Sequence, residues 1–325
     1  MSAVRDAADR VPNGLIVFGG TASRSLTGRV CDYLNTKPGR AVVSRFPDGE
    51  TLVKIDEDVR GHDVFIVQST GPPVNDNLME LLIYIDCLRR ASAKRITAVI
   101  PYYGYARQDR KSEGRTPITA KLVANMIAKA GADRVLTMNL HADQIQGFFD
   151  LPVDHLTAAP VLAKHFTHRQ LHDAVLVSPD VGNIKFGSDF ASRIGGELAV
   201  IHKRRIDGSQ TVAVNIIGDV RGKKVMMFDD MITTAGTVSE AARIVREHGA
   251  TQIFVAAAHG VFAGPALDRL VSAELDEIVV TDTIELAPQV RDRLKNLTVL
   301  SVSGLVGEAI RRIHEHRSVS ALFVS

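Results

Sequence analysis

At 325 residues the chain has room for about two domains at roughly 150 residues each, and its 45% apolar and 23% charged residues exclude disorder, collagen-like repeats and coiled coil as the main organisation. Lys and Arg total 39 against 37 Asp and Glu, so a formal charge of +2 leaves no overall footprint for nucleic acid or an anionic membrane. The two cysteines, Cys31 and Cys87, form no CxxC pair, which argues against a disulfide framework or a thiolate zinc site and points to the cytoplasm. The opening MSAVRDAADR lacks an apolar core, and no window approaches about 18 uninterrupted apolar residues, so neither secretion nor a membrane span is expected.

In chain order, short runs rich in Val and Ile recur at 15–18, 64–67, 96–100, 135–138, 174–177, 225–228, 253–256 and 278–280. Helical patterns lie between them, the mark of βαβ units around a mainly parallel sheet. After the turn Gly71-Pro72-Pro73, residues Leu78, Leu81, Leu82, Ile85 and Leu88 share one helical face, which predicts a packing helix. A second helix is predicted to open at Pro117, whose ring presets the backbone of a first turn, and to end near Gly131. The runs at 135–138 and 225–228 each lead into a polar cluster, at the strand end where open α/β sheets bind ligands. At 151–160 the pattern breaks into LPVDHLTAAP, which predicts a crossover between two α/β halves.

Several phosphate and catalytic signatures are missing: no G-x-x-x-x-G-K-[ST], no G-x-G-x-x-G after a strand, no H-E-x-x-H and no G-x-S-x-G. The most informative segment is VMMFDDMITTAGT, 225–237. An apolar strand delivers Asp229 and Asp230 to the sheet edge; Thr233, Thr234, Ala235, Gly236 and Thr237 then turn into a helix. Small residues, hydroxyls and helix N-terminal N–H groups suit a phosphate, and two carboxylates suit ribose hydroxyls or hydrated Mg²⁺. Read alone, the same segment is also an ordinary strand, turn and helix cap.

The segment resembles the signature shared by phosphoribosyltransferases and ribose-phosphate diphosphokinases. FPDGE from Phe46, NDNLMELL from Asn75, PYYGYARQDRK from Pro101, NLHADQIQGFFD from Asn139, VSPDVGN from Val177, HKRR from His202 and the ending EAIRRIHEHRSVSALF resemble the second family in order and spacing. That resemblance implies two similar phosphoribosyltransferase-like domains, each a mainly parallel sheet flanked by helices. The ATP side would be 1–157, joined by part of 304–317, and the ribose 5-phosphate side 158–325. The family transfers the diphosphoryl group of Mg-ATP to the 1-hydroxyl of ribose 5-phosphate, giving 5-phosphoribosyl 1-diphosphate and AMP.

Site roles follow from the resemblance, each beside a plainer reading. Phe46, Asp48 and Glu50 make a Pro-Asp-Gly turn when read alone; the family sets this loop against adenine, supplied by a neighbouring subunit. Arg107, Gln108 and Asp109 belong either to a solvated basic loop or, by resemblance, to the ATP site, where the fork of Arg107 suits phosphate. His141 follows the strand at 135–138; with Asp180 of the diphosphate loop Asp180, Val181, Gly182 and Asn183 it is expected to help bind Mg-ATP. Lys203 and Arg205 follow a strand and precede the polar stretch 206–210; as solvated cations they mean little, but the family's counterparts lie on a flexible catalytic loop. By the same resemblance, Asp229, Asp230, Thr233, Thr234, Ala235, Gly236 and Thr237 are expected to take ribose 5-phosphate.

Three positions depart from the family pattern: Asn139 and Thr233 stand where aspartate is usual, and Asn183 where glycine is usual. Asn tolerates the left-handed backbone, so Asn183 is expected to preserve its loop. Asp58 and Asp143 stand where relatives often carry uncharged residues near a regulatory site. The competing readings are a non-catalytic ATP-binding regulator and a plain phosphoribosyltransferase, the latter explaining only the loop at 229–237. The family also implies dimers assembled into a hexamer, with no nucleic acid or membrane partner.

Overall fold

A parallel strand buried on both faces reads as a continuous apolar run, and such runs build two sheets. In a computed structural model, the described residues are 14–168, 171, 174–178, 195–205 and 212–322. They divide into two units. The first holds the described residues through Thr157, together with Thr283–Glu285 and those from Ser301 on; the second holds Ala158–Asp282 and Leu286–Leu300. The whole segment after Ser301 therefore groups with the first unit, whereas the sequence assigns 158–325 to the second half with only part of 304–317 returning.

The first unit has a five-stranded parallel sheet in the order β1 (Leu15–Gly19), β4 (Asp63–Val67), β5 (Arg95–Ile100), β6 (Arg134–Met138) and β7 (Val153–Leu156). A separate antiparallel hairpin pairs β2 (Ala41–Arg45) with β3 (Thr51–Ile55). All five residues of β4 are buried. The predicted apolar stripe lies on α2 (Val74–Arg90), whose Leu78, Leu81, Ile85 and Leu88 join a core with Phe18, Ile66 and Tyr103, while Leu82 is half-buried against it. In α1 (Arg24–Tyr33), Cys31 is also buried, and burial, helped by the Asp32 charge, pushes its thiol up to about 12.

The helix placed at Pro117 opens two residues later, as α3 (Thr119–Ala130), and ends at Gly131 with φ +120°. Gln108 sets that start: its side-chain oxygen accepts from the Thr119 hydroxyl and its carbonyl accepts from Ala120 N–H at 3.1 Å. The stretch at 151–160 does hold the passage from the first unit to the second, at 157–158. It contains β7, and Pro160 sits in the first turn of α4 (Ala159–His168), where a missing N–H costs nothing.

The second unit carries a seven-stranded sheet in the order β10 (Val212–Ile217), β9 (Glu197–Arg205), β8 (Val175–Ser178), β11 (Lys224–Ile232), β12 (Gln252–Gly260), β13 (Glu277–Thr281) and β14 (Leu297–Leu300). Only β10 runs antiparallel to its neighbour. After β8 the chain passes to β9 on one side, and β11 then pairs on the other, so the strand order reverses between β8 and β11. Helices α5 (Gly236–Glu247), α6 (Ala266–Ser272) and α7 (Pro288–Arg293) accompany this sheet. No helix among the described residues is long and apolar enough to cross a membrane.

The last helix, α8 (Ser303–His314), is pinned to the first unit by packing and charge. Gly307 faces the Tyr33 ring so closely that a Cβ would collide with it, and Tyr33 Oη lies 3.0 Å from Glu308 Oε2. At the far end, Asp63 accepts from Arg95 Nε at 2.8 Å and lies 2.7 Å from His314 Nδ1, while Arg95 Nη2 reaches the Ile313 carbonyl at 3.0 Å. Burial alone raises the Asp63 carboxyl; bonds from His314 and Arg95 outweigh it and hold the group below the ordinary carboxylate range.

A depressed carboxyl contributes stability that is complete above its unfolded pKa, about 3.9, and is lost as pH falls through the folded value. Asp63→Asn is therefore expected to cost about 2 kcal/mol at pH 7, because it leaves the half-buried Arg95 without its carboxylate. Urea unfolding should show the gap to wild type narrowing below about pH 4; equal midpoints at pH 7 would remove this cluster as the anchor of the helix.

Candidate active site

The strand expected at 225–228 runs on to Ile232, because pairing with β12 continues through Asp229↔Ala257, Met231↔His259 and Ile232↔Gly260. Asp229 and Asp230 thus belong to the last residues of β11, both half-buried. Asp229 Oδ1 accepts from Asp230 N–H and Asp230 Oδ1 from Met231 N–H, each at 2.8 Å. These bonds fix the carboxylates at the strand's carboxyl end, beside the reversal of strand order, where α/β sheets leave a crevice.

The turn that follows is held through its carbonyls. Ile232 O accepts from Val261 and Phe262 N–H at 3.0 Å each, Thr233 O from Ala263 N–H at 2.9 Å, and Thr234 O from Arg269 Nη1 at 3.0 Å. Ala235 then takes a left-handed backbone, φ 57° and ψ 13°, and α5 begins at Gly236. Ser239 N–H closes on Ala235 O at 2.9 Å. Earlier amides in a helix lack intrahelical acceptors, so Gly236 and Thr237 present the donor end of a helix dipole, a ready seat for phosphate. Gly236 also admits the Arg269 guanidinium, which would stand 3.2 Å from a Cβ there. Sequence reasoning missed Arg269: an exposed arginine on α6 carries no local sign that it reaches a loop 35 residues earlier.

Lys203 and Arg205 do not follow a strand; they lie on β9, in register with Val214 and Val212 of β10. The diphosphate-loop residues Asp180, Val181, Gly182 and Asn183 and the stretch 206–210 lie outside the described residues.

In the first unit, Phe46, Asp48 and Glu50 form the turn of the β2–β3 hairpin. Phe46 N–H bonds to Glu50 O and Gly49 N–H to Phe46 O, both at 2.9 Å, while Asp48 Oδ1 accepts from Glu50 N–H at 3.1 Å. The Phe46 ring is 48% exposed, which leaves it available for stacking. Arg107, Gln108 and Asp109 follow the aromatic stretch after β5, where Gly104 is required because a Cβ would strike the Thr70 carbonyl oxygen. Arg107 is exposed, Gln108 caps α3, and Asp109 Oδ2 accepts from Gln144 Nε2 at 3.1 Å. One helix turn holds both segments: Asp76 of α2 pairs with Arg45 at 3.0 Å, and Asn75 Oδ1 accepts from the Tyr105 hydroxyl.

His141 is exposed just past β6. The chain leaves the strand through Asn139, whose φ of 41° is left-handed, so the tolerance invoked for Asn183 operates at Asn139. Leu140 is buried, and its N–H donates to His155 Nε2 at 2.8 Å. Sequence reasoning missed His155, which lies in the stretch read as a crossover. Among the described residues no group of three or more His, Cys, Asp or Glu gathers around one point. Of the two residues expected to hold Mg²⁺, His141 is described and exposed and Asp180 lies outside the described residues; a single imidazole would suit Mg²⁺ with phosphate oxygens and water as its other ligands.

Two mainly parallel sheets flanked by helices, with polar side chains gathered at the strand ends, define a two-unit α/β protein. A family model for the N-terminal domain of ribose phosphate pyrophosphokinase matches residues 15–131, and one for the phosphoribosyl synthetase-associated domain matches residues 206–324. A ribose-phosphate pyrophosphokinase of Rhodopirellula baltica is 57% identical over 95% of this chain and 98% of its own. One from Thermotoga maritima is 51% identical over 96% and 98%, respectively. The crystal structure of phosphoribosylpyrophosphate synthetase from Mycobacterium smegmatis superposes with a TM-score of 0.88 at 42% identity, covering 94% of this chain and 100% of that one. The chain belongs to the ribose-phosphate pyrophosphokinase family.

The left-handed residue at the phosphate turn makes its own prediction. An L-residue there carries about 1–2 kcal/mol of strain, which glycine escapes. Ala235→Gly is expected to keep or raise the melting temperature although it removes a buried methyl, whereas Ala235→Val should cost about 2 kcal/mol or more. A clear drop in the glycine variant would show that the turn is not strained.

Proposed function

We propose that the chain is a working ribose-phosphate diphosphokinase, transferring the diphosphoryl group of ATP to the 1-hydroxyl of ribose 5-phosphate. The sugar's O1 bonds to the β-phosphorus, the bond from that phosphorus to the bridging oxygen of AMP breaks, AMP leaves with that oxygen, and the hydroxyl proton passes to solvent. The observation that carries this reading is that the likeness to ribose-phosphate pyrophosphokinases runs through both units, at 57% identity over 95% of the chain. A phosphoribosyltransferase would leave the first-unit segments without a task.

Asp229, Asp230 and Thr233 hold the ribose hydroxyls, and the amides of Thr234, Ala235, Gly236 and Thr237 hold the 5-phosphate. The loop Asp180, Val181, Gly182 and Asn183 takes the diphosphate. Phe46 stacks on adenine, Asp48 and Glu50 face its amine, and Arg107, Gln108 and Asp109 line the ATP site; Gln108 accepts from Thr119 through Oε1, and its Nε2 is the group that faces a ligand. His141 and Asp180 hold Mg²⁺, which when bound neutralises the phosphate oxygens. Lys203 and Arg205 stabilise the charge that develops on the transferring group. The enzyme works in the cytoplasm, in keeping with two free cysteines, and assembles from dimers into a hexamer in which a neighbouring hairpin supplies the adenine face.

Incubation with Mg-ATP and ribose 5-phosphate should yield AMP only when the sugar is present. ATP binding without turnover would establish the regulator instead, and nucleotide formed from phosphoribosyl diphosphate and a nucleobase would establish the transferase. In the active enzyme, joint replacement of Lys203 and Arg205 by Ala is expected to lower kcat by about 10³-fold while changing ATP affinity less than about threefold. Equal losses of rate and affinity would make these cations ground-state binders.

A further inference from the structure

We propose that His155 is a positioning residue for the ATP side of the reaction: its ring accepts the Leu140 amide and thereby fixes the direction in which His141 leaves the sheet. The proposal rests on the assignment of His141 to Mg-ATP and deepens it.

The chain between β6 and His141 is short and strained, so something must hold it. Asn139 N–H continues the β6–β7 pairing by donating to Leu156 O at 3.0 Å, and the backbone then turns left-handed at φ 41°. One residue on, Leu140 N–H donates to His155 Nε2 at 2.8 Å, and the Leu140 side chain enters the core. Two anchors on β7 therefore flank the strained residue, one from the backbone of Leu156 and one from the ring of His155. His141 is the next residue, and it is exposed.

The ring is set up as an acceptor. A nitrogen that accepts an amide proton carries no proton of its own, so the neutral ring's N–H is on Nδ1. On the protonated side, Nδ1 lies 3.7 Å from the acceptor Asp143 Oδ1 in the short helical turn Asp143–Phe148, while Gln146 Nε2, itself a donor, stands 3.2 Å away and makes no bond to that N–H. Burial lowers the pKa of His155, opposed by the Asp143 charge, which keeps the accepting nitrogen unprotonated at neutral pH. The turn carrying Asp143 and Gln146 is itself fastened: Lys121 of α3 donates to Phe148 O at 2.6 Å, and Gln144 donates to Asp109. His155 thus couples the His141 turn to the same short helix that contacts the 107–109 segment.

His155→Leu removes the acceptor while keeping bulk; His155→Gln offers a carbonyl oxygen in its place. Hydrogen exchange read on a peptide spanning residues 139–142 should speed about tenfold in the leucine variant, and calorimetric affinity for Mg-ATP should fall about five- to tenfold. KM for Mg-ATP should rise by a similar factor, with KM for ribose 5-phosphate within about twofold of wild type. The glutamine variant should recover most of the exchange protection and affinity. Unchanged exchange in His155→Leu, equal rises in both KM values, or a folded glutamine variant no better than leucine would overturn the proposal. If leucine prevents folding, the comparison of His155→Gln with His155→Asn, whose shorter side chain misses Leu140, decides in the same terms. His141→Ala separates the two levels: unaltered Mg-ATP affinity there removes His141 from the site, whereas loss there with no effect in His155→Leu removes only the clamp.

Discussion

A strand buried on both faces has no side on which to display a polar side chain, so chemistry is confined to the place where the strand stops. Both sheets obey this constraint. β4 is buried at all five positions, and β12 at eight of its nine. The candidate groups appear where burial relaxes: Asp229 and Asp230 in the half-buried end of β11, His141 beyond β6, and Arg107 beyond the aromatic stretch after β5. What the molecule can bind is then decided by how each chain segment turns away from its strand.

Those turns share a device. Asn139, Tyr105 and Ala235 all have positive φ, at 41°, 64° and 57°, and none is glycine. Each is held by neighbours that overdetermine it: Asn139 by β7, Tyr105 by the hydroxyl bond to Asn75, Ala235 by carbonyl bonds at Thr233 and Thr234 on one side and Ser239 on the other. Backbone held away from its preferred regions persists only where surrounding contacts compensate about 1–3 kcal/mol per residue. The gain is a preset loop that need not be ordered when a phosphate arrives, which lowers the entropic cost of binding.

Periodicity made the interior legible because burial imposes it. The stripe on α2 and the runs of β1, β4, β5, β6, β8, β11, β12 and β13 were all visible as apolar patterns, with ends displaced by a few residues. β2, β3, β7, β10 and β14 were not, and β9 was visible only as a strand of unstated bounds ahead of Lys203; these strands lie at edges or in hairpins. β7 reads Val-Asp-His-Leu, and its Asp154 pairs with Arg134 of the neighbouring strand, a relation that no local window contains. The same limit hid Arg269 and His155. Each acts on a backbone atom of a loop distant in sequence, and a backbone acceptor or donor leaves no trace in residue identity.

That distinction also bears on the two described departures from the family pattern. At Thr233 the loop is shaped by the carbonyl, which accepts from Ala263, and any residue supplies a carbonyl. A threonine in place of an aspartate there removes a charge without removing the carbonyl that shapes the turn. At Asn139 the demand is conformational, and asparagine meets a left-handed φ at least as well as aspartate. An asparagine also adds no negative charge beside a histidine assigned to a nucleotide's phosphates. Both residues are thus compatible with the backbone they occupy, and relative to aspartate each differs by one negative charge.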